Sequence, residues 1–466
     1  MKKNLFLLLI VSLLLSGCHL PVQQLKPVLV DEGVTYLYVL PFPLEAERIR
    51  FNLAAVAAIR DDGVEIPLAL RLAELKGSEM GRQRFLASNP LPPGMYKGFS
   101  FRVENAFLKG DEGEAALLIP KEPTRLDFPF EVKKTRALLV SLTFKYDESL
   151  KGVRFSPVFS AAIPGRPLAN LTGYVTNYGS NTITVFDKKA RVAVDAIQTG
   201  RGPAGIVIDQ RQRRAYVVLS GDDAIDVIDI VAGEVVNRIR LNPGDAPRDL
   251  ALTPDGKILI TANTGSNTVS MIDPGTLLEF ARINLLSQPR SVLIDRAGKK
   301  AYIFNTLLST ISVLDINNRV LTSTFTTDSA PLRGDFNKAG DRLIVFHEWS
   351  PHLLLFDTAS LSMVKRVYSG IGIEWIKVDT RTDDLYVAKK NERAVEIFDP
   401  FSFIPGDSLA TAGGVSNMTI DADENNLYLI VPEKKLLQIF SLVSRSVIGE
   451  IDLDDSPYWI TMAGER

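Results

Sequence analysis

The chain has 466 residues, more than one core usually covers, and it sets 53 Lys and Arg against 55 Asp and Glu. Near-balanced charge, with neither a basic stripe nor an acidic block, gives nucleic acid nothing to hold and excludes it as a partner. An apolar content of 46% is ample for globular cores, and a single cysteine leaves them no disulfides.

The chain opens on a signal segment. Lys2 and Lys3 precede an apolar run over residues 5–15. As a helix this run would reach about 16 Å against a bilayer core of about 30 Å, too short to span. A cleaved signal peptide over residues 1–17 therefore fits better than a transmembrane anchor. The next residues, Leu15-Ser16-Gly17-Cys18, resemble the lipobox of bacterial lipoproteins. That resemblance implies cleavage before Cys18 and acylation of its thiol and new amine. Several acyl chains, at about 0.8 kcal/mol per buried methylene, would hold the protein stably on a membrane. His19, not Asp, would follow the lipidated residue. By the same resemblance this implies an outer-membrane anchor, facing the periplasm or the cell surface. Residues 18–33, with Pro21, Gln23, Gln24 and Pro27, read as a tether.

Residues 34–162 alternate as strands do. Phe99, Phe101 and Val103 share one face and Ser100, Arg102 and Glu104 the other; Leu138, Val140, Leu142 and Phe144 repeat the pattern. Period-two alternation bounded by turns predicts antiparallel strands and a β-sandwich. The alanine-rich stretch 44–59 would pass as a helix, but Ile49, Phe51, Leu53, Ala55, Ala57 and Ile59 alternate, and a strand is expected there. The Leu91-Pro92-Pro93-Gly94-Met95-Tyr96 run, the strand from Phe99 to Leu108, the Leu118-Ile119-Pro120 turn and the segment from Val140 to Leu150 resemble a family of bacterial lipoprotein domains with a prealbumin-like sandwich. The resemblance brings no chemistry with it. Residues 163–172 form a Pro/Gly linker.

From residue 173 onward the chain repeats itself. Asp187, Asp229, Asp273, Asp315, Asp357, Asp399 and Ser441 each end an apolar strand, at steps of 42, 44, 42, 42, 42 and 42 residues. A period near forty with strand-like content predicts a β-propeller. The first unit reads Tyr174-Val175-Thr176-Asn177, a Gly179-Ser180-Asn181-Thr182 turn, then Ile183 to Asp187; the third repeats it with Asn263, Gly265-Ser266-Asn267-Thr268 and Asp273. These residues resemble the YVTN family of seven-bladed propellers, over about 290 residues. Each unit supplies four strands, a to d. Pro203, Pro247, Pro289, Pro331 and Pro457 mark the loop before strand a, where no ladder donor is lost, and Ile373 and Val415 substitute elsewhere. The repeated aspartates are expected to accept nearby backbone amides in Asx turns rather than to bind metal. The chain enters on a strand b and ends on an extra strand a, so residues 457–462 should complete the first blade and close the ring over residues 173–466. Loss of residues 455–466 should then lower stability sharply.

The loops between strands d and a and between b and c share one face of a propeller. Aligning the units puts Gly205, Asp249, Ser291, Arg333, Trp375, Asn417 and Trp459 in one register there, preceded by Ala204, Arg248, Arg290, Leu332, Glu374, Ser416 and Tyr458. Charged groups that orient and aromatic faces that stack are what a polar-ligand site needs. The candidate ligand-binding residues are Arg248, Asp249, Arg290, Arg333, His347, Glu374, Trp375 and Trp459. Blade five departs from the repeat most, reading His347-Glu348-Trp349-Ser350-Pro351-His352 where others carry Asn and Thr. Two imidazoles and a carboxylate there have the chemistry of a metal site or a general base, but the spacing is not that of H-E-x-x-H on a helix. No catalytic or metal residue is assigned. No C-x-x-C-H, dinucleotide, Walker or G-x-S-x-G motif is visible, so no cofactor is implied.

The expected function is a lipid-anchored cell-envelope binding or scaffold protein, which meets a protein or small-molecule partner with the loop face of the propeller. The alternatives are a propeller enzyme, lactonase- or lyase-like by resemblance to other seven-bladed rings, or an envelope metal or redox-partner protein leaning on the two histidines.

Overall fold

The structure, a computed structural model, describes residues 26–421 and 423–465. The signal segment, Cys18 and most of the tether lie outside the described residues. Among those described, no helix is long and apolar enough to cross a membrane.

The N-terminal domain is one ten-stranded sheet curled around an aromatic core. Its two halves meet in the strand Glu65–Leu70, whose early residues pair with Ile49–Arg60 and whose last two pair with Arg84–Leu91. The sheet is mixed: Gly33–Val39 runs parallel to Ala137–Phe144, while the other pairings are antiparallel. Local alternation carries no sign of this, because parallel neighbours need only a long connection, and here nearly the whole domain intervenes. Phe51, Phe99, Phe101, Phe144, Phe155 and Phe159 fill the core.

The alanine-rich stretch is a short 3-10 turn, Leu44–Arg48, followed by the expected strand, Ile49–Arg60. Its alternation changes phase midway. Register shifts around Leu53 hand the core face from Ile49, Phe51 and Leu53 to Val56 and Ala58, and leave Ala55 exposed. A bulge reverses side-chain parity in this way.

The ring closes as expected, with seven four-stranded sheets. In blade one the innermost strand is Pro457–Met462, paired antiparallel with Thr172–Asn177, followed outward by Thr182–Asp187 and Val192–Gln198. The side-chain bonds of the repeat explain its letters. Asn177 donates from Nδ2 to Thr182 (3.3 Å) and Thr184 (2.9 Å); Asn263 does the same to Thr268 (3.0 Å) and Ser270 (2.8 Å), and Asn305 to Thr310 and Ser312. A buried amide needs such partners, so the Asn and its hydroxyls recur together. Where the Asn is lost, the partners change with it: blade six pairs Lys389 with Glu396 at 2.8 Å. The aspartates at the ends of the c strands are Asx turns. Asp187 accepts the amides of Lys189 and Ala190, and Asp229, Asp273, Asp357 and Asp399 repeat this two and three residues on.

The two domains share a core. Tyr36, Tyr38, Phe85 and Leu139 of the N-terminal sheet pack with Val175, Phe186, Tyr428, Ile430, Leu437 and Ile439 of blades one and seven. This explains why Gly33–Val39 is buried along its whole length: one face serves its own domain, the other the propeller. Gln83 seals the outer strand of blade one by exchanging two hydrogen bonds, of 3.0 and 2.7 Å, with the backbone of Ala193.

Candidate functional site at the channel mouth

Each innermost strand begins at the d–a face, so the first residues of seven strands crowd around one opening. There a cavity of about 240 Å³ is lined by Arg248, Asp249, Arg290, Arg333, Glu374, Trp375 and Trp459, with Tyr458, Leu332 and Phe346 among its other walls. Seven of the eight side chains expected at a ligand site therefore come together.

The two registers do different work. In the later one, side chains reach across to the next blade's innermost strand. Asp249 accepts the amide of Val292 at 3.0 Å, Ser291 donates to the carbonyl of Leu332 at 2.6 Å, Trp375 donates from Nε1 to the carbonyl of Met418 at 3.1 Å, and Asn417 accepts from Ile460 at 3.4 Å. These bonds stitch blade to blade. Gly205 holds the same position in blade two, where a Cβ would come within 3.1 Å of Asp249. Asp249 is also ion-paired with Arg333 and accepts the amide of Leu250. Its burial raises the carboxyl, and Arg333 offsets that. Arg333 in turn lies 4.7 Å from the Trp459 ring and 5.7 Å from Trp375, and the two indoles meet edge to face at 5.1 Å. Asp249 and Arg333 are thus already engaged with each other.

The earlier register is freer. Among the described residues no carboxylate makes an ion pair with Arg248 or Arg290; both act on the hydroxyl of Tyr458. Burial alone would raise the Tyr458 phenol, but Arg290 and Arg248 outweigh it and hold it below its ordinary value near 10. Glu374 is shifted the other way: burial raises its carboxyl, against the pull of Lys390 and Arg290. Tyr458 stands in this register in the sequence, and its chemical importance shows only once both arginines are placed beside it.

Farther down, Lys377 sits 3.7 Å from Asp335 and 3.9 Å from Glu465. Glu465 also accepts from Thr461 at 3.0 Å and from Thr419, so the end of the chain caps the lower channel.

His347 lies apart from the mouth. It closes the strand Arg342–His347, is fully buried, and hydrogen-bonds through Nε2 to Thr327. The His352 ring packs edge-on against Tyr368. Among the described residues no three His, Cys, Asp or Glu side chains form a metal-holding group. Burial lowers the His347 imidazole to about 4, with Asp328 pulling the other way. In the unfolded chain the same ring binds its proton near 6.5, so acid favours unfolding between those values and stability rises with pH across that window. Acidification from pH 7 to about 4.5 should cost about 2–3 kcal/mol from this group alone. Urea titrations at several pH values check it: His347→Asn, which places there the residue of blades one, three and four, should flatten the slope.

Residues 173–381, somewhat under half of the chain, match the model of the YNCE-like beta-propeller family. No curated protein matches the chain. Among solved structures, a functionally unknown protein from Desulfotomaculum acetoxidans DSM 771 is similar at 15% identity and a TM-score of 0.55, over 62% of this chain and 98% of that one. Kuenenia stuttgartiensis hydrazine synthase is similar at 17% and 0.50, over 55% and 88%. The dihydro-heme d1 dehydrogenase NirN in complex with DHE is similar at 11% and 0.51, over 65% and 78%. At these identities the likeness is one of fold. The chain thus carries a YNCE-like seven-bladed propeller behind an N-terminal β-rich domain.

Proposed function

We propose that this chain is a cell-envelope binding protein, held by lipid on Cys18 at the outer membrane, which takes a partner at the d–a mouth of its propeller. One observation carries the binding reading: Arg248 and Arg290 line an aromatic-walled cavity without an ion pair to any described carboxylate, and Asp249, Glu348 and Glu374 act on Arg290 only from beyond ion-pair distance. Groups that serve only the fold are satisfied by the fold, as Asp249 and Arg333 are. The Leu15-Ser16-Gly17-Cys18 run supports the anchor, and the shared core between domains supports a rigid body that presents the mouth at a fixed orientation.

The catalytic alternative draws on one observation, the Tyr458 phenol held low between two arginines. A group tuned toward its anion is a candidate acid or base, though ion-pair networks perturb such groups too.

Two measurements test the reading. Cys18→Ser should move the protein from the membrane to the soluble fraction, and continued membrane attachment would sink the lipid anchor. In-cell crosslinking with mass spectrometry should place a partner or a retained small molecule at residues 248, 290, 374 and 458. Crosslinks confined to the blade rims or the N-terminal domain would move the binding surface away from the mouth.

A further inference from the structure

The charges around the channel can be accounted for one by one. Arg333 is taken by Asp249, Lys377 faces Asp335 and Glu465, and Lys389 is paired with Glu396 and Glu392. Arg248 and Arg290 make no such pair among the described residues; their shared neighbour is the Tyr458 hydroxyl, and Asp249, Glu348 and Glu374 act on Arg290 from beyond ion-pair distance. One hydroxyl satisfies some of their ten N–H donors and neutralises neither charge. Two guanidinium groups lining one recess offer the planar forks that match the paired oxygens of a carboxylate or phosphate, and each bond so made is charge-assisted. The rest of the wall is apolar and aromatic: Leu332, Phe346, and the perpendicular indoles of Trp375 and Trp459. At about 240 Å³ the cavity lies under the range of about 300–1,000 Å³ typical of drug-sized ligands.

Resting on the reading of the mouth as a binding site, we propose that it selects a small organic oxyanion. Arg248 and Arg290 take its carboxylate or phosphate, and its planar or apolar body lies against Trp375 and Trp459. Tyr458, between the arginines, donates a hydrogen bond to the same anion. Glu374 lines the same cavity, with Lys390 and Arg290 acting on its carboxyl.

The test uses the full chain in detergent with Trp349→Phe, which removes an indole that is 73% exposed and outside the cavity lining. Fluorescence then reports on Trp375 and Trp459 alone. The probes are benzoate, phenyl phosphate, benzyl alcohol and benzylamine, at one ionic strength. Benzoate or phenyl phosphate should give a saturable change that the neutral and cationic probes do not. Saturation by benzoate alone identifies a carboxylate as the recognised group, and saturation by phenyl phosphate alone identifies a phosphate. Arg248→Gln and Arg290→Gln should each weaken the favoured anion roughly tenfold or more, while each variant still melts in one cooperative transition, since neither arginine makes an ion pair among the described residues. Saturation by benzylamine or benzyl alcohol at equal strength would overturn the anion preference and leave the mouth a binding site. Silence from all four probes, with no crosslink at the mouth, would overturn both.

Discussion

A chain that stops at Asp-Ser456 should not melt as a cooperative unit. Removing residues 457–466 takes away the innermost strand of blade one, Pro457–Met462, and keeps Asp454 and Asp455, which serve the domain interface. Ile460 and Met462 are buried to within 2% in the core shared by the two domains, and each is worth about 1.5–3 kcal/mol. Trp459, Tyr458 and the bonds that close the lower channel through Glu465 go with them. Thr172–Asn177, now an inner strand, becomes an open edge onto the channel. The sum is on the order of 10 kcal/mol, comparable with a whole domain's stability of about 5–15 kcal/mol. The measurement is calorimetry of the truncated chain beside full-length Trp459→Ala, which keeps the strand and loses one side chain. The truncation should show no sharp transition, and the point variant a lowered but sharp one. A truncation that melts where the parent does would mean that the ring holds without its closing strand.

That closure was legible because it follows from a count: an unmatched b strand at one end and an unmatched a strand at the other have only each other. The repeat was legible for a related reason. Three blades satisfy the same buried amide in the same way, so Asn177, Asn263 and Asn305 keep their hydroxyl partners, and the c–d turns keep the aspartates at their spacing. Alignment also brought the mouth residues to one opening, because equivalent positions in a ring face one axis. It did not divide their labour. Asp249 and Arg248 are neighbours in sequence and both line the cavity, yet only Asp249 also stitches blades, a distinction made by the next blade's backbone. His347 looked like its loop neighbours and is a core residue, since it inherits the buried place of an Asn. In the N-terminal domain, a bulge at Leu53 and a parallel strand pair escaped for the same reason: both depend on partners far away in the chain.

The second large effect is expected where the domains meet. Asp452 ends the last outer strand, Ser446–Asp452, and together with Asp454 and Asp455 just beyond it faces a basic surface. Arg71 donates to Asp455 at 2.8 and 3.0 Å and to Asp454 at 2.8 Å; Lys26 reaches Asp455 at 2.9 Å; Arg84 and Arg82 hold Asp452 at 3.0 and 2.7 Å. The hydroxyl of Tyr36 donates to the other oxygen of Asp454 at 2.9 Å. Burial alone would raise the Asp455 carboxyl, but hydrogen bonds from Arg71, Lys435 and Lys26 outweigh it and hold it well below the usual carboxylate range. Arg71→Ala leaves two carboxylates facing each other with their principal cation gone. Removing one partner of a buried pair costs about 3–5 kcal/mol. Arg71 and Asp455 each keep about a quarter of their side-chain exposure, so about 2–4 kcal/mol is expected after screening. Adding Asp455→Asn to Arg71→Ala should recover part of the loss, since it removes the stranded charge. The pH dependence has a definite sign. A carboxylate with a depressed folded value contributes fully above its unfolded value near 3.9, and the contribution fades as pH falls below that. Acid therefore acts in two stages, first through His347 between about 6.5 and 4, then through Asp455 below about 4. Limited proteolysis of the 163–172 linker, followed with pH, separates them. In the parent the linker should resist until the second stage, and in Arg71→Ala it should be cut near neutral pH. Equal resistance in both proteins at pH 7 would show that the shared apolar core alone holds the domains together.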